Sequence, residues 1–414
     1  MSAELKPGYK QTEVGVIPES WSVSQLSNMA SIVTGNTPST SNPRNYGDEY
    51  LFVGPGDLGG EKYISSASKS LSKQGWGLVR KLPTNSILFT CIGIIGKSGI
   101  AAKPLATNQQ INALITNPEH SSEFLYYALG AIAGRIRSSA SEQVVPLISK
   151  TEFGKELVAH PCKVEQEKIA TILSDFDILI SCLDQFIAKK RDIQQATMQQ
   201  LFTGQRRLPG FSGEWEVKPM RALGSTYGGL AGKTKSDFGH GDARYIPFMN
   251  VMTDTVIDAN WLEHVDIAPD EIQNLAKKGD LFFNGSSETP EEVGFCSVLL
   301  EDIPSLYLNS FCFGFRFNAG AKVNGLFFAY WFRSKAGRAA MSVLAQGATR
   351  YNIAKSAFMQ LEIPQPSEEE QTAIATILSD MDAALAALEA RRDKARQLKQ
   401  GMMQELLTGR IRLV

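Results

Sequence analysis

Cysteine is scarce: the chain of 414 residues carries five, Cys91, Cys162, Cys182, Cys296 and Cys312, an odd number with no CxxC spacing. That excludes a disulfide framework, and four scattered histidines leave no spacing suited to a metal. The expectation is a reduced, cytoplasmic protein without structural metal. Charge of one sign is also missing, since 42 basic residues meet 43 acidic ones. A basic coat for nonspecific nucleic-acid binding is thereby excluded. A specific DNA reader that shares its phosphate affinity with other subunits is not. The longest apolar run, ILFTCIGIIG from Ile87, is about half of the roughly 20 residues that span a bilayer, and MSAELKPGYK lacks the build of a signal peptide. No membrane role is expected.

Catalytic constellations are absent as well. There is no NPPF or NPPY, which argues against a self-contained adenine methyltransferase. CIGIIGKSG, Cys91 to Gly99, approaches GxxxxGK[ST], but a cysteine stands where the first glycine belongs. Two readings stay open for it: a glycine turn that offers backbone N–H groups and Lys97 to a DNA phosphate, or a plain hairpin turn. A nucleotide-binding enzyme built on Lys97 ranks behind both.

What is present is duplication. IATILSD stands at Ile169 and again at Ile374, and sliding the chain by about 205 residues aligns Glu165–Leu208 with Glu370–Leu413 without a gap, at about 21 identities in 44. Upstream, Trp21 of ESWSV meets Trp215 of GEWEV. Both copies read as long helices, because apolar residues recur at three- and four-residue steps: Ile169, Ile172, Leu173, Phe176, Leu179, Leu183, Phe186 and Ile187 in one, Ile374, Ile377, Leu378, Met381, Leu385, Leu388, Ala395 and Leu398 in the other. Acidic residues open each helix and Gly204 and Gly409 stop them. Two such stripes bury each other most economically as an antiparallel coiled coil.

The expected fold is α+β: two globular mixed modules separated by two long helices, with internal pseudo-two-fold symmetry. The boundaries are 1–163, a first helix 164–208, a second module 209–366 and a second helix 367–414. Counting charges gives 15 basic against 12 acidic residues over 1–163, and 14 against 17 over 209–365, so the second module should bind DNA weakly alone.

The two kinds of segment drift differently. In the helices, Ile178, Ile180 and Cys182 have become Ala383, Leu385 and Ala387, whereas Ser174, Asp175, Asp177, Gln199, Thr203 and Gly204 recur as Ser379, Asp380, Asp382, Gln404, Thr408 and Gly409. Retained polar residues suggest a surface that docks the same partner twice; helix caps left by recent duplication are the competing account. In the modules the loops differ almost everywhere, TGNTPSTSNPRNYGDEY against TYGGLAGKTKSDFGHGDARY, as two readers of different targets would.

GNTPSTSNPRNYG, ATNQQINAL, and above all PCKVEQEKIATILSDFD and PSEEEQTAIATILSDMD with their closing LFTG and LLTG, resemble the specificity (S) subunit of type I restriction-modification systems over about Gly15 to Leu413. The second module has no clear TNQQ; LYLNSFCF with Asn309 stands there. The resemblance implies two target-recognition domains that read a split site in double-stranded DNA, and helices that dock two modification subunits methylating adenine N6 on a flipped base. Two restriction subunits would add ATP-driven cleavage. S-adenosylmethionine, ATP and Mg would belong to those partners, leaving this chain without cofactor or catalytic residue. Isolated, it could self-associate through uncovered helices. A coiled-coil scaffold whose modules bind protein or another ligand is the alternative.

For DNA contact, loop residues of suitable chemistry are Thr37, Ser39, Arg44, Asn45, Tyr46, Lys97, Ser98, Asn108, Gln109 and Gln110 in the first module. In the second they are Lys233, Lys235, Arg244, Asn284, Ser286, Ser287, Arg350 and Tyr351. Arginine and lysine donate to guanine or phosphate, and amides pair with adenine edges.

Overall fold

The structure, a computed structural model, describes residues 6–140 and 145–413. The chain divides into two compact units, residues 1–184 with 390–414, and residues 185–389. Each unit therefore owns one module and a half of each long helix.

In unit 1 the central sheet has the order β1-β5-β3-β4-β2, formed by β1 (Ala30–Thr34), β2 (Tyr63–Ile64), β3 (Ile87–Thr90), β4 (Ser98–Ala101) and β5 (Ile111–Thr116). The run that is too short for a membrane opens with β3, whose four residues are all buried, as expected of a central strand covered on both faces. Helix α1 (Ser122–Ser138) follows, capped by the Ser121 hydroxyl, which accepts from the Phe124 N–H. Its Phe124, Leu125, Ala128 and Leu129 join Ile87, Phe89 and Leu114 of the sheet in one core with Ile169 and Leu173. The last two lie on α2 (Lys163–Phe202), the first long helix.

Unit 2 repeats the plan. Strands β6 (Gly224–Gly228), β7 (Leu281–Asn284), β8 (Cys296–Val298) and β9 (Cys312–Phe317) stack in the order β6-β9-β7-β8, the order of their unit 1 counterparts. Helix α3 (Gly325–Arg333) takes the place of α1, and Ile374 and Leu378 of α4 (Glu368–Leu406) take the places of Ile169 and Leu173.

The helices are antiparallel, as contacts inside each unit show. In unit 1, Glu165, Asp177 and Asp184 of α2 meet Arg412, Lys399 and Arg396, so one numbering rises as the other falls. In unit 2, Arg191, Gln194 and Arg207 meet Glu389, Asp382 and Glu370. The apolar stripe is narrower than its spacing predicts. Ile169, Leu173, Leu183 and Ile187 are buried, but Leu179 is 37% and Phe186 49% exposed, because a helix facing one partner buries a single seam.

Glu165 and Glu370 explain the EQ in both copies. Each carboxylate, at 0% and 2% side-chain exposure, takes a two-pronged bond from Arg412 or Arg207, with N–O distances of 2.7–2.8 Å and 2.7 Å respectively. The indole of Trp215 donates to Glu370 at 3.0 Å, which accounts for one of the two shared tryptophans. Each following glutamine ties its helix to its module: Gln166 accepts from Ser121 N–H and donates to Pro161 O, and Gln371 does the same with Asn324 and Pro366. Among the described residues no helix is long and apolar enough to cross a membrane.

Candidate nucleic-acid interface

In unit 1 the segment 35–46 folds over the turn 107–110. Gly35 permits this approach, since a Cβ there would lie 2.2 Å from the Asn108 carbonyl oxygen. The Thr37 hydroxyl donates to Gln109 Oε1 at 2.6 Å; Asn108 accepts the Gln110 N–H at 3.0 Å and donates to the Gln110 side chain at 2.9 Å. Ser39 and Arg44 are exposed on the same segment, and Tyr46 is tied to it by donating to Pro38 O at 3.0 Å. Thr37, Ser39, Arg44, Asn108, Gln109 and Gln110 thus present amide, hydroxyl and guanidinium groups from one held loop pair, a set able to address base edges and phosphates. Nearby in sequence, Tyr50 and Trp76 stack at 4.6 Å with Lys81 over the indole at 5.6 Å. The order of residues does not single out this pair, which the strand Tyr46–Val53 and the helical turn Lys73–Trp76 bring together.

Asn45 must be withdrawn as a DNA contact. It is 1% exposed, donating to Ser39 O and accepting from Gln74, so its amide shapes the loop from inside. CIGIIGKSG is a hairpin between β3 and β4, with no helix behind it as a phosphate loop requires. The N–H groups of Gly96 and Lys97 are spent on the carbonyl and hydroxyl of Thr90, so the turn does not offer them to a phosphate. Lys97 keeps its ammonium, with its stem against Gly59, and Ser98 opens β4 half-buried. Inside the hairpin, burial pushes the Cys91 thiol up to about 12, so it stays a protonated packing group.

In unit 2 the corresponding hairpin is closed by Asn284, whose side chain accepts from Phe295 N–H and donates to Glu292 O. Asn284 is 0% exposed and Ser286 8%, so both are corrected from contacts to scaffold. Ser287 pairs with Tyr351 across the short strands Ser286–Ser287 and Tyr351–Ile353. Arg350 beside them lies 5.9 Å over the ring of Phe311, which is 58% exposed. Phe311 holds the place of Gln110: Asn309 N–H bonds Ile246 O as Asn108 N–H bonds Val53 O, and Asn309 accepts Phe311 N–H as Asn108 accepts that of Gln110. The TNQQ equivalent is therefore LNSF, and Ser287, Phe311, Arg350 and Tyr351 form the second candidate surface.

Lys233 does not belong to that surface. Its side chain is 10% exposed and its ammonium is held by Glu271 and Asp266 O, a structural ion pair that closes its own loop. Lys235 is exposed on the turn Lys235–Asp237, and Arg244 is half-buried on the strand Phe238–Ile246 opposite His264.

On the helices, Ser174, Asp177, Ser379 and Asp382 are corrected too. Each aspartate accepts a hydrogen bond from a buried tyrosine of its own module, Tyr127 or Tyr330, with the serine beside it. Thr203 and Thr408 bond back to the carbonyls of Gln199 and Gln404, and Gly204 and Gly409 hold φ of 68° and 70° as helix stops. Gly409 is buried against Pro18 and Trp21. Of the twelve, Asp175, Asp380, Gln199, Gln404 and Thr203 are exposed, and Thr203 spends its hydroxyl on its own helix.

The family model described as type I restriction modification DNA specificity domain matches residues 18–189 and 268–397. The chain belongs to that family. Its specificity-subunit relatives include the MjaIX subunit of Methanocaldococcus jannaschii, 30% identical over 42% of this chain and 41% of that one. The HindI subunit of Haemophilus influenzae is 32% identical over 38% and 36%. The alignments with these two thus span about two fifths of their length; the MjaVIII subunit of M. jannaschii aligns over 96% of this chain and 94% of its own at 23% identity. In fold, the chain is similar to the S subunit of a type I system from M. genitalium, with a TM-score of 0.60 at 16% identity over 97% of this chain and 99% of that one.

Proposed function

We propose that this chain is the DNA-addressing, non-catalytic subunit of a type I restriction-modification enzyme. The observation that carries this is a specificity-family match in both halves, on two modules with the same frame and different loops. Two unlike readers recognise a bipartite target with an unread gap that is not a palindrome. The half-site read by unit 1 meets Thr37, Arg44 and Asn108–Gln110, and the other meets Ser287, Phe311, Arg350 and Tyr351. Two modification subunits dock on the helices. The internal tasks of Asp177 and Asp382 move the docking surface to the uncovered apolar residues, Ile178 and Leu179 in unit 1 and Phe186 and Ile193 in unit 2. S-adenosylmethionine, and ATP with Mg where a restriction subunit joins, are brought by the partners.

The test is adenine methylation mapping of DNA from cells that express the chain with its neighbouring modification subunit, against cells lacking the chain. One asymmetric, gapped motif dependent on the chain is expected. A stable complex with an active methyltransferase and no new motif would refute the assignment and favour a scaffold that binds protein.

A further inference from the structure

The two units differ at one buried polar site. In unit 1 the ammonium of Lys62, a side chain only 9% exposed, lies between α1 and α2. It donates to Tyr127 Oη at 3.1 Å, Ser174 Oγ at 3.0 Å and Glu123 at 3.2 Å, and stands 4.7 Å from the Tyr127 ring centre. Lys399 adds a second ammonium, 2.5 Å from Asp177. Two cations thus meet the carboxylates of Asp177 and Glu123.

Unit 2 keeps the tyrosine, serine and aspartate, loses both ammoniums, and has Leu326 where Glu123 stands. Tyr330, Ser379 and Asp382 stand where Tyr127, Ser174 and Asp177 stand, and Gln194 occupies the place of Lys399, donating to Asp382 at 2.6 Å. The backbone fixes the partner of Lys62: Ile100 N–H bonds Lys62 O in unit 1, and the equivalent Val298 N–H bonds Thr255 O in unit 2. Tyr63 opposite Ile100 likewise corresponds to Val256 opposite Val298. Threonine is too short to reach the acceptors. The space becomes a cavity of about 680 Å³ lined by Thr255, Tyr330, Ser379 and Asp382.

Charge points the same way. Around the cavity Arg191 is consumed by Glu389, leaving Asp254 and Asp382. A further cation within electrostatic reach of Asp382, Arg333, spends its hydrogen bonds on the carbonyls of Val251, Met252, Thr253, Asp254 and Cys296 and on the Ser297 hydroxyl. It offsets one negative charge without filling the space. A single further cation bearing N–H donors would balance what remains.

We propose that this cavity binds a primary aliphatic ammonium on Asp382, Tyr330 and Ser379, the chemistry that unit 1 supplies from Lys62 on the tyrosine and serine and Lys399 on the aspartate. The source is a free polyamine or a lysine of a docked partner; the second source rests on the docking reading above, the site itself does not.

The test is calorimetric titration of the full chain with putrescine at millimolar concentration, alongside Thr255→Lys and Asp382→Asn. Saturable binding is expected, weakened about tenfold or more in both variants. Thr255→Lys should also raise Tm by about 2–4 °C by tethering the missing charge, which shows that loss of binding there is not loss of folding. No saturable binding to the parent chain, or equal binding by Thr255→Lys, would overturn the proposal. Repeating the titration on the complex with the modification subunit separates the sources: a partner lysine abolishes putrescine binding, and a free polyamine site leaves it intact. Failure to form that complex would count against the docking reading alone.

Discussion

Removing Arg412 should unfasten one end of the helix pair and leave the other shut. Glu165 is fully buried and, among the described residues, has Arg412 as its one cationic partner, with Leu413 N–H as a further donor. Deleting one member of a buried pair leaves a stranded charge at a cost of about 3–5 kcal/mol. Arg412 retains 30% side-chain exposure, so water and the neutral form of Glu165 recover part of that, leaving about 2–3 kcal/mol. The assay is amide hydrogen exchange by mass spectrometry on Arg412→Ala. Peptides over Glu165–Leu173 should lose protection by roughly 30- to 150-fold, at about 1.4 kcal/mol per tenfold. Peptides over Glu370–Leu378, where Arg207 does the same work, are the internal control. The double variant Glu165→Met with Arg412→Met should recover most of the loss, since an apolar pair avoids the desolvation. Equal loss in both peptides, or none at Glu165–Leu173, would refute the reasoning.

Acid should expose the same pair. Burial alone raises the Glu165 carboxyl, but the Arg412 guanidinium and Leu413 N–H outweigh it and hold the group below its ordinary value. A depressed folded-state value stabilises above the unfolded carboxyl at about 4.3 and is lost as pH falls through the folded one. The stability gap between the parent and Glu165→Gln should therefore be constant at neutral pH and close below about pH 4 in urea melts. Tyr127→Phe takes a donor from Asp177 and an acceptor from Lys62, costing about 1.5–3 kcal/mol, and should lower Tm more than Tyr330→Phe, whose hydroxyl serves no lysine. Gly204→Ala meets no neighbour within 4 Å and costs about 1 kcal/mol of left-handed strain. Gly409→Ala adds a Cβ 2.5 Å from Pro18 and should melt several degrees lower still. Arg350→Ala should relax the methylated motif in one half-site only, by about 1–3 kcal/mol at the base pair it contacts.

The architecture was legible because duplication and helical period are properties of residue order. The 205-residue offset, the acidic helix starts and the stops at Gly204 and Gly409 needed no coordinates. The site was legible only by type. Asn45 and Asn284 have the chemistry of base readers, yet each faces inward to hold a loop, and nothing in the order of residues distinguishes an amide that meets its own backbone from one that meets solvent. Lys233 was misplaced for the same reason, its partner Glu271 lying 38 residues away. Phe311 was missed because it carries out in unit 2 a position that Gln110 holds in unit 1, and the equivalence rests on backbone bonds rather than on letters.

The retention of IATILSD has a physical cause in these contacts. Apolar positions on the seam tolerate exchange, since Ile180 against Leu385 conserves volume and changes only the branch point. Buried polar groups do not: Glu165 without Arg412, Gln166 without Ser121, or Tyr127 without Asp177 would each strand a donor or acceptor. Selection for folding alone thus preserves Ser174 and Asp177 in both copies, and recurrence of a polar residue is no evidence that it faces a partner. A partner surface must instead be sought where retained residues have no internal task, at Asp175 and Asp380, beside apolar groups that the seam leaves uncovered. Where retention fails in this network, as when Lys62 becomes Thr255 and Lys399 becomes Gln194 beside an unchanged Asp382, unit 2 holds the space for the ammonium proposed above.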